Sequence, residues 1–294
     1  MPSPIENKVR ARLPITRLFA AYLPLSLARR LIKLGIKHVK LPAGITRESV
    51  SADGVPCEWL IPQDRSADRV LLYLHGGGFI YGLTPPHFQM VSSLAQKMGL
   101  RTLMVDYRVA PEHPFPAALD DCVIAYRWLL KQGISPENIV VAGDSAGGNL
   151  TITTLMKLHE NGDQLPAAAA CLSPVANLAE RDKPPKLRED PLLHPRARKM
   201  FNKSYVAHND PRDPLISPVF GDWHGLPPLL VHAGEDEILL DDAVSIQALA
   251  KAAGVDVRLE IYPRMWHVWQ LYPQLPQAGQ SLDDIAQFFT SHLG

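Results

Sequence analysis

The chain has 294 residues, 46% of them hydrophobic, and its 30 Lys plus Arg are balanced by 30 Asp plus Glu. That length and apolar fraction suit one large α/β domain with a sizeable core, or two smaller ones. The zero formal charge points away from nucleic-acid and polyanionic partners, and no apolar run reaches the length of a membrane span.

Met1 to Arg12 lack the apolar centre of a signal peptide. Leu13 to Ile36 is apolar but interrupted by Pro14, Arg17, Pro24 and Arg29-Arg30, which predicts one or two short amphipathic helices covering something apolar. Residues 45–62 alternate around Ala52-Asp53-Gly54 and read as a hairpin. Arg69 to His75 is a continuous apolar run, a fully buried strand. A helix over Phe88 to Met98 and a strand over Arg101 to Asp106 follow. Pro116 to Lys131 has helical period and stops before Gly133. Asn138 to Ala142 is a short buried strand, and Gly148 to Leu158 a helix with a packed apolar face.

Ala167 to Leu172 is the next strand. Residues 174–226 are rich in Pro, Arg, Lys and Asp with poor periodicity, and read as an insertion carrying short helices. Leu229 to His232 is a strand, Asp241 to Ala253 a helix ending at Gly254, Val257 to Tyr262 the last strand, and Leu282 to Leu293 a closing helix. This alternation predicts a mostly parallel sheet flanked by helices on both faces, with the hairpin as an antiparallel edge. Cys57, Cys122 and Cys171 are far apart and lie in apolar segments. No pair has zinc-ligand spacing, so buried reduced thiols and a cytoplasmic protein are expected.

Gly143-Asp144-Ser145-Ala146-Gly147 joins the buried strand to its helix and fits G-x-S-x-G. The pattern places Ser145 on a sharp, exposed bend, the geometry of a nucleophile elbow, although alone it also fits a Gly-rich turn. Serine needs a base, and the base an orienting acid, in the chain order Ser, acid, His. His267 follows the last strand and has the required order, so it is the candidate base. Five carboxylates cluster between Glu235 and Asp242. Asp241 and Asp242 fit the first turn of a helix, whereas Asp236 and Glu237 occupy the loop tip, within reach of His267. His75-Gly76-Gly77-Gly78 follows a buried strand, where glycines let the backbone approach a substrate and aim its N–H groups inward.

From about residue 45 to the end, the chain resembles the bacterial hormone-sensitive-lipase-like esterases (family IV carboxylesterases). The resemblance rests on His75–Gly78 with Phe79-Ile80-Tyr81-Gly82, on the segment from Val105 to Ala118 with Tyr107-Arg108-Val109-Ala110-Pro111-Glu112 at its centre, on Gly143–Gly147, on Asp213-Pro214-Leu215-Ile216-Ser217-Pro218, and on the acid and histidine loops. It implies an α/β-hydrolase fold with a helical cap, formed by residues 1–44 and 174–226 around a catalytic domain of residues 45–173 and 227–294. It implies Ser145 as nucleophile, His267 as base, and the amides of Gly77, Gly78 and Ala146 as oxyanion hole. His75 would hold its loop, with Arg108 and Glu112 buried or pinned. The reaction would be hydrolysis of short- to medium-chain acyl esters through an acyl-enzyme, with no metal or organic cofactor. Phe79, Tyr81 and Trp266 would shape an apolar substrate pocket, Trp266 alternatively packing under the cap.

The chain departs from the family's D-P-L-x-D acid motif, because its loop is one residue longer. Counting from Gly234 selects Asp236; counting back from Asp241, Gly254 and His267 selects Glu237, which is favoured here. An amidase or lactonase with the same triad is an alternative activity, and a ligand-binding protein on the same scaffold is a rival that the presence of His267 opposes. The edge strand Val257 to Tyr262 could pair across a two-fold axis in a homodimer.

Overall fold

The protein was analysed as a computed structural model, which describes residues 3–66, 68–179 and 190–294. Three helices come first: α1 (Pro4–Arg10), α2 (Leu13–Tyr22) and α3 (Leu25–Lys37). Strands β1 (Ile45–Ala52) and β2 (Val55–Pro62) form the hairpin. There follow β3 (Val70–Leu74), α4 (Pro85–Met98), β4 (Arg101–Val105), α5 (Ala117–Lys131), β5 (Ile139–Asp144), α6 (Ala146–Glu160) and β6 (Ala168–Leu172). The chain continues through α7 (Pro195–Val206), β7 (Leu229–Gly234), α8 (Leu240–Ala252), β8 (Val257–Tyr262) and α9 (Pro276–His292).

Among the described residues the strands form one eight-stranded sheet, ordered β1-β2-β4-β3-β5-β6-β7-β8. The hairpin joins it antiparallel, through β2 against β4, and the remaining pairs are parallel. The strand period of two explains why β3 is apolar throughout. Val70, Leu72 and Leu74 pack on one face with residues of α5 and α6, while Leu71 and Tyr73 pack on the other with residues of α4 and α9. Each leucine buried so completely contributes about 1.5–3 kcal/mol. In a parallel sheet the strands' C-terminal ends all point to one edge, and the loops leaving β3, β5, β7 and β8 carry the candidate site.

Three elements differ from the sequence reading. α1 was not anticipated: seven residues hold little helix on their own, and this one is fixed by a Ser3 cap and by pairs to distant loops, Glu6 with Arg264 and Arg10 with Asp236. α4 starts at Pro85 rather than Phe88, because Thr84 and His87 form a reciprocal cap around two prolines that suit a first turn. α9 starts at Pro276 rather than Leu282, again with proline in the first turn. Within 174–226, α7 is the one long helix among the described residues, and residues 180–189 lie outside them.

Cys57, Cys122 and Cys171 are all free and buried. Among the described residues no helix is long and apolar enough to cross a membrane.

Candidate active site

Ser145 separates β5 from α6 with φ 53° and ψ −114°, a backbone conformation that a non-glycine residue holds only under constraint. Its N–H donates to Leu172 O at 2.8 Å, which locks the bend to β6. Gly147 makes the bend possible: a Cβ there would fall 1.9 Å from Leu74 O. The strand-to-helix turn therefore fits against the end of β3 only with hydrogen at that position, and Ser145 Oγ is carried to the top of the sheet.

His267 Nε2 lies 2.9 Å from Ser145 Oγ, and its Nδ1 lies 2.9 Å from Glu237 Oε2. A carboxylate oxygen accepts, so Nδ1–H donates to Glu237 and Nε2 is left to accept from the serine hydroxyl. Glu237 is fully buried, and its other oxygen accepts from Gly234 N at 2.7 Å. Burial disfavours the His267 cation, but the hydrogen bond and charge of Glu237, with Asp190 and Asp144 further away, outweigh it. The ring's pKa is raised above its ordinary 6.5. Asp236 takes no part in this chain of contacts. Its carboxylate turns to the surface and pairs with Arg10 at 2.6 Å.

Opposite the serine, Gly77 and Gly78 have φ of 120° and 60°, which the residues' lack of a Cβ permits. A Cβ on Gly78 would also strike the Phe201 ring of α7 at 2.4 Å. Among the described residues the amides of Gly77, Gly78 and Ala146 have no protein acceptor, whereas the Gly76 amide donates to Asp144 Oδ1 at 2.9 Å. His75 fixes the loop from behind. Burial, then the neighbouring His87, lowers its pKa to about 3, so it is neutral and donates through Nδ1 to Gly76 O at 2.7 Å. Tyr107 stacks on the His75 ring at 4.0 Å and donates to His75 O at 2.6 Å, which ties the Tyr107–Glu112 segment to this loop. Arg108 is pinned by Asp121 and Glu112 by Arg29.

Ser145, His267, Gly77, Gly78, Ala146, Phe79 and Tyr81 line one mostly apolar cavity of about 280 Å³. Thr16 and Ala20 of α2, Ile32 of α3, and Leu192, Phe201 and Asn202 close it from above. Phe79 itself is buried and stacks on Tyr205 at 3.7 Å. Trp266 is not part of the lining. It packs with Val9, Leu13 and Trp269 and meets Tyr272 edge-on, so of the two roles expected from the sequence the pocket wall gives way to packing beneath α1 and α2.

The family described as alpha/beta hydrolase fold matches residues 71–271. An acetyl-hydrolase of Streptomyces hygroscopicus is 43% identical over 241 residues, 81% of this chain and 80% of that protein. An esterase of Acinetobacter venetianus is 35% identical over 260 residues, covering 87% and 82%. The crystal structure of an esterase from the bacterial hormone-sensitive lipase family superposes with a TM-score of 0.93 at 39% identity, covering 100% of both chains. The chain belongs to the bacterial hormone-sensitive lipase family of the α/β-hydrolase fold.

Beside the residues to which the sequence gives a role, the structure brings in three to which sequence reading gave none. Asp144, next to the serine, accepts from Tyr73 Oη at 2.7 Å as well as from Gly76 N, and faces His87 Nε2 at 3.3 Å. Burial opposes its charge, but His87 and these hydrogen bonds prevail and lower its pKa. It thereby clamps the glycine loop to the elbow. Asp190 reaches in from the insertion: it accepts from Leu192 N, Leu193 N and Ile238 N, tying the cavity's roof to the Glu237 loop. A carboxylate beside the serine was a signal in the sequence for Asp144. His87 and Asp190 had none, since their partners lie 57 and 48 residues away.

Proposed function

We propose that this protein is a serine carboxylic-ester hydrolase acting on short- to medium-chain acyl esters. The hydrogen-bonded line Glu237–His267–Ser145, facing amides that have no acceptor among the described residues, carries the reading. The esterase and acetyl-hydrolase relatives support it. His267 Nε2 takes the Ser145 proton as Oγ attacks the ester carbonyl. The amides of Gly77, Gly78 and Ala146 bind the negative oxygen of the tetrahedral adduct. The adduct collapses as His267 gives its proton to the leaving alkoxide, so the alcohol departs and an acyl-serine remains. Water, deprotonated by the same ring, repeats the sequence and releases the acid. The ring moves every proton and the amides hold the charge, so the chemistry calls for no metal or organic cofactor. Helices α2 and α3 and the segment around α7 serve as the cap.

The small apolar cavity sets the range of acyl groups. With p-nitrophenyl esters, kcat/KM is expected to be highest between acetate and octanoate and at least about tenfold lower for hexadecanoate. A hexadecanoate preference contradicts the size argument, and absence of turnover across the whole series contradicts the activity itself.

Only neutral His267 can take the serine proton, so activity requires pH above its pKa. Because Glu237 holds that pKa above 6.5, kcat/KM for a neutral ester is expected to rise with pH through a midpoint above that value. A midpoint below it rules out the proposed balance between burial and the carboxylate.

A further inference from the structure

Residues 1–44 carry nine Lys or Arg against a single carboxylate, Glu6, in a chain whose formal net charge is zero. The same segment holds most of the exposed large apolar side chains among the described residues: of eleven, eight lie between Ile5 and Leu34. They are ordered. Ile15, Leu18, Phe19 and Tyr22 recur at i, i+3, i+4 and i+7 on α2, and Leu27, Leu31 and Leu34 at i, i+4 and i+7 on α3. At about 3.6 residues per turn such spacings make one stripe on each helix. Phe19 and Tyr22 are 59% and 58% exposed, the reverse of the burial that rings of this size usually find.

The opposite sides of these helices are occupied. Leu13 and Ala21 are buried, Thr16, Ala20 and Ile32 line the cavity, and Arg29 pins α3 to Ile80 O and Glu112. The stripes are therefore outward faces of helices already docked, not parts of an unfilled core. Arg30, Lys33 and Lys37 fall beside the leucine stripe of α3 and are exposed, as are Lys8, Arg12 and Lys40. Arg196 of α7 sits over the Tyr22 ring at 4.9 Å and extends the positive border.

We propose that α2 and α3 dock this protein on an anionic phospholipid surface. An apolar stripe bordered by lysine and arginine matches an interface whose acyl boundary accepts leucine and aromatic side chains and whose phosphates accept cations. The long basic side chains can reach the headgroups while the stripe lies deeper. A second copy of the chain fits less well, since two such strongly positive faces would repel when apposed. The proposal goes beyond the ester-hydrolase reading and stands on charge and exposure alone. It puts the roof of the cavity and the lipid contact on opposite sides of the same two helices.

Sedimentation with large unilamellar vesicles tests it. The protein is expected to pellet with vesicles of equal parts phosphatidylglycerol and phosphatidylcholine, to stay in solution with pure phosphatidylcholine, and to be released by about 0.5 M NaCl. Arg30→Glu/Lys33→Glu/Lys37→Glu should lower the partition coefficient about a hundredfold, and Leu18→Ser/Phe19→Ser/Leu31→Ser at least about tenfold. Turnover of p-nitrophenyl acetate by both triple variants should stay within about twofold of the unaltered protein, reporting an intact fold. Ser145→Ala should bind vesicles as the unaltered protein does, which separates docking from chemistry. Equal binding to both lipid compositions overturns the proposal. So does undiminished binding of either triple variant, or a stripe that ultracentrifugation finds buried in a dimer that does not bind vesicles.

Discussion

Ser145→Ala is expected to lower ester turnover by a factor of about 10⁴ to 10⁶ while the protein remains folded. The size of the effect follows from the division of labour around the elbow. In the proposed mechanism the hydroxyl is the bond-forming group, and among the described residues no other hydroxyl is hydrogen-bonded to His267 Nε2. The residual rate reports the oxyanion amides and binding alone. Folding is spared because the substitution removes one hydroxyl hydrogen bond and leaves the backbone bond from residue 145 to Leu172 O in place. Alanine at φ 53° is strained much as serine is, so the bend itself is not relaxed. The measurement is kcat on p-nitrophenyl butyrate together with the melting temperature. Acid-quenched unaltered enzyme should show an acyl mass on the peptide containing Ser145, and the variant should not. Retention of more than about one per cent of the activity with an unchanged melting temperature contradicts the nucleophile assignment.

How much of this site could be read from the sequence depends on whether the signal was local. The elbow was legible because strand, small-residue turn and helix are neighbours in the chain, and a buried Gly147 leaves the turn no other form. The glycine loop after β3 was legible for the same reason. The eight-stranded sheet followed from runs such as Val70–Leu74, whose burial on both faces leaves no polar position. Where sequence reading stalled, distant contacts decide the matter. Asp236 and Glu237 are adjacent, and the count from Gly234 selects the first while the count back from Asp241, Gly254 and His267 selects the second, which the sequence favours. The structure separates them through Arg10 of α1, which draws Asp236 outward, and through Gly234 N, which holds Glu237 beneath His267. α1 carries only a short local signal, the Ser3 cap before Pro4, and its other anchors are residues more than 200 positions away. Trp266 misled by proximity. Neighbouring side chains leave the backbone in different directions, so His267 meets the cavity while Met265 and Trp266 enter a separate cluster below α1.

The two carboxylates give the second large effect. Glu237→Gln is expected to lower kcat by about 10³ to 10⁴, and Asp236→Asn by less than about threefold. The amide substitution preserves shape and burial but reverses the hydrogen-bond sense. Gly234 N already donates to Oε1 and fixes the oxygen of a glutamine there, so the NH₂ must face His267 Nδ1. Two donors cannot share that contact. The ring answers by making Nδ1 the acceptor and placing its proton on Nε2, toward Ser145 Oγ, where it can no longer accept. Removing the carboxylate also removes the influence that lifts the His267 pKa against burial. The acid limb of the residual activity should therefore move to lower pH, the opposite of what unfolding or general acid damage would produce. Asp236→Asn lacks these consequences because its partner is a part-exposed Arg10, a contact worth about 0.2–1 kcal/mol of stability and remote from the ring. Side-by-side pH profiles of kcat/KM decide the assignment: an inactive Asp236→Asn beside a fully active Glu237→Gln would transfer the orienting role to Asp236. A fall in both would mean that the pairing of α1 with this loop, and not only the buried carboxylate, holds His267 in register.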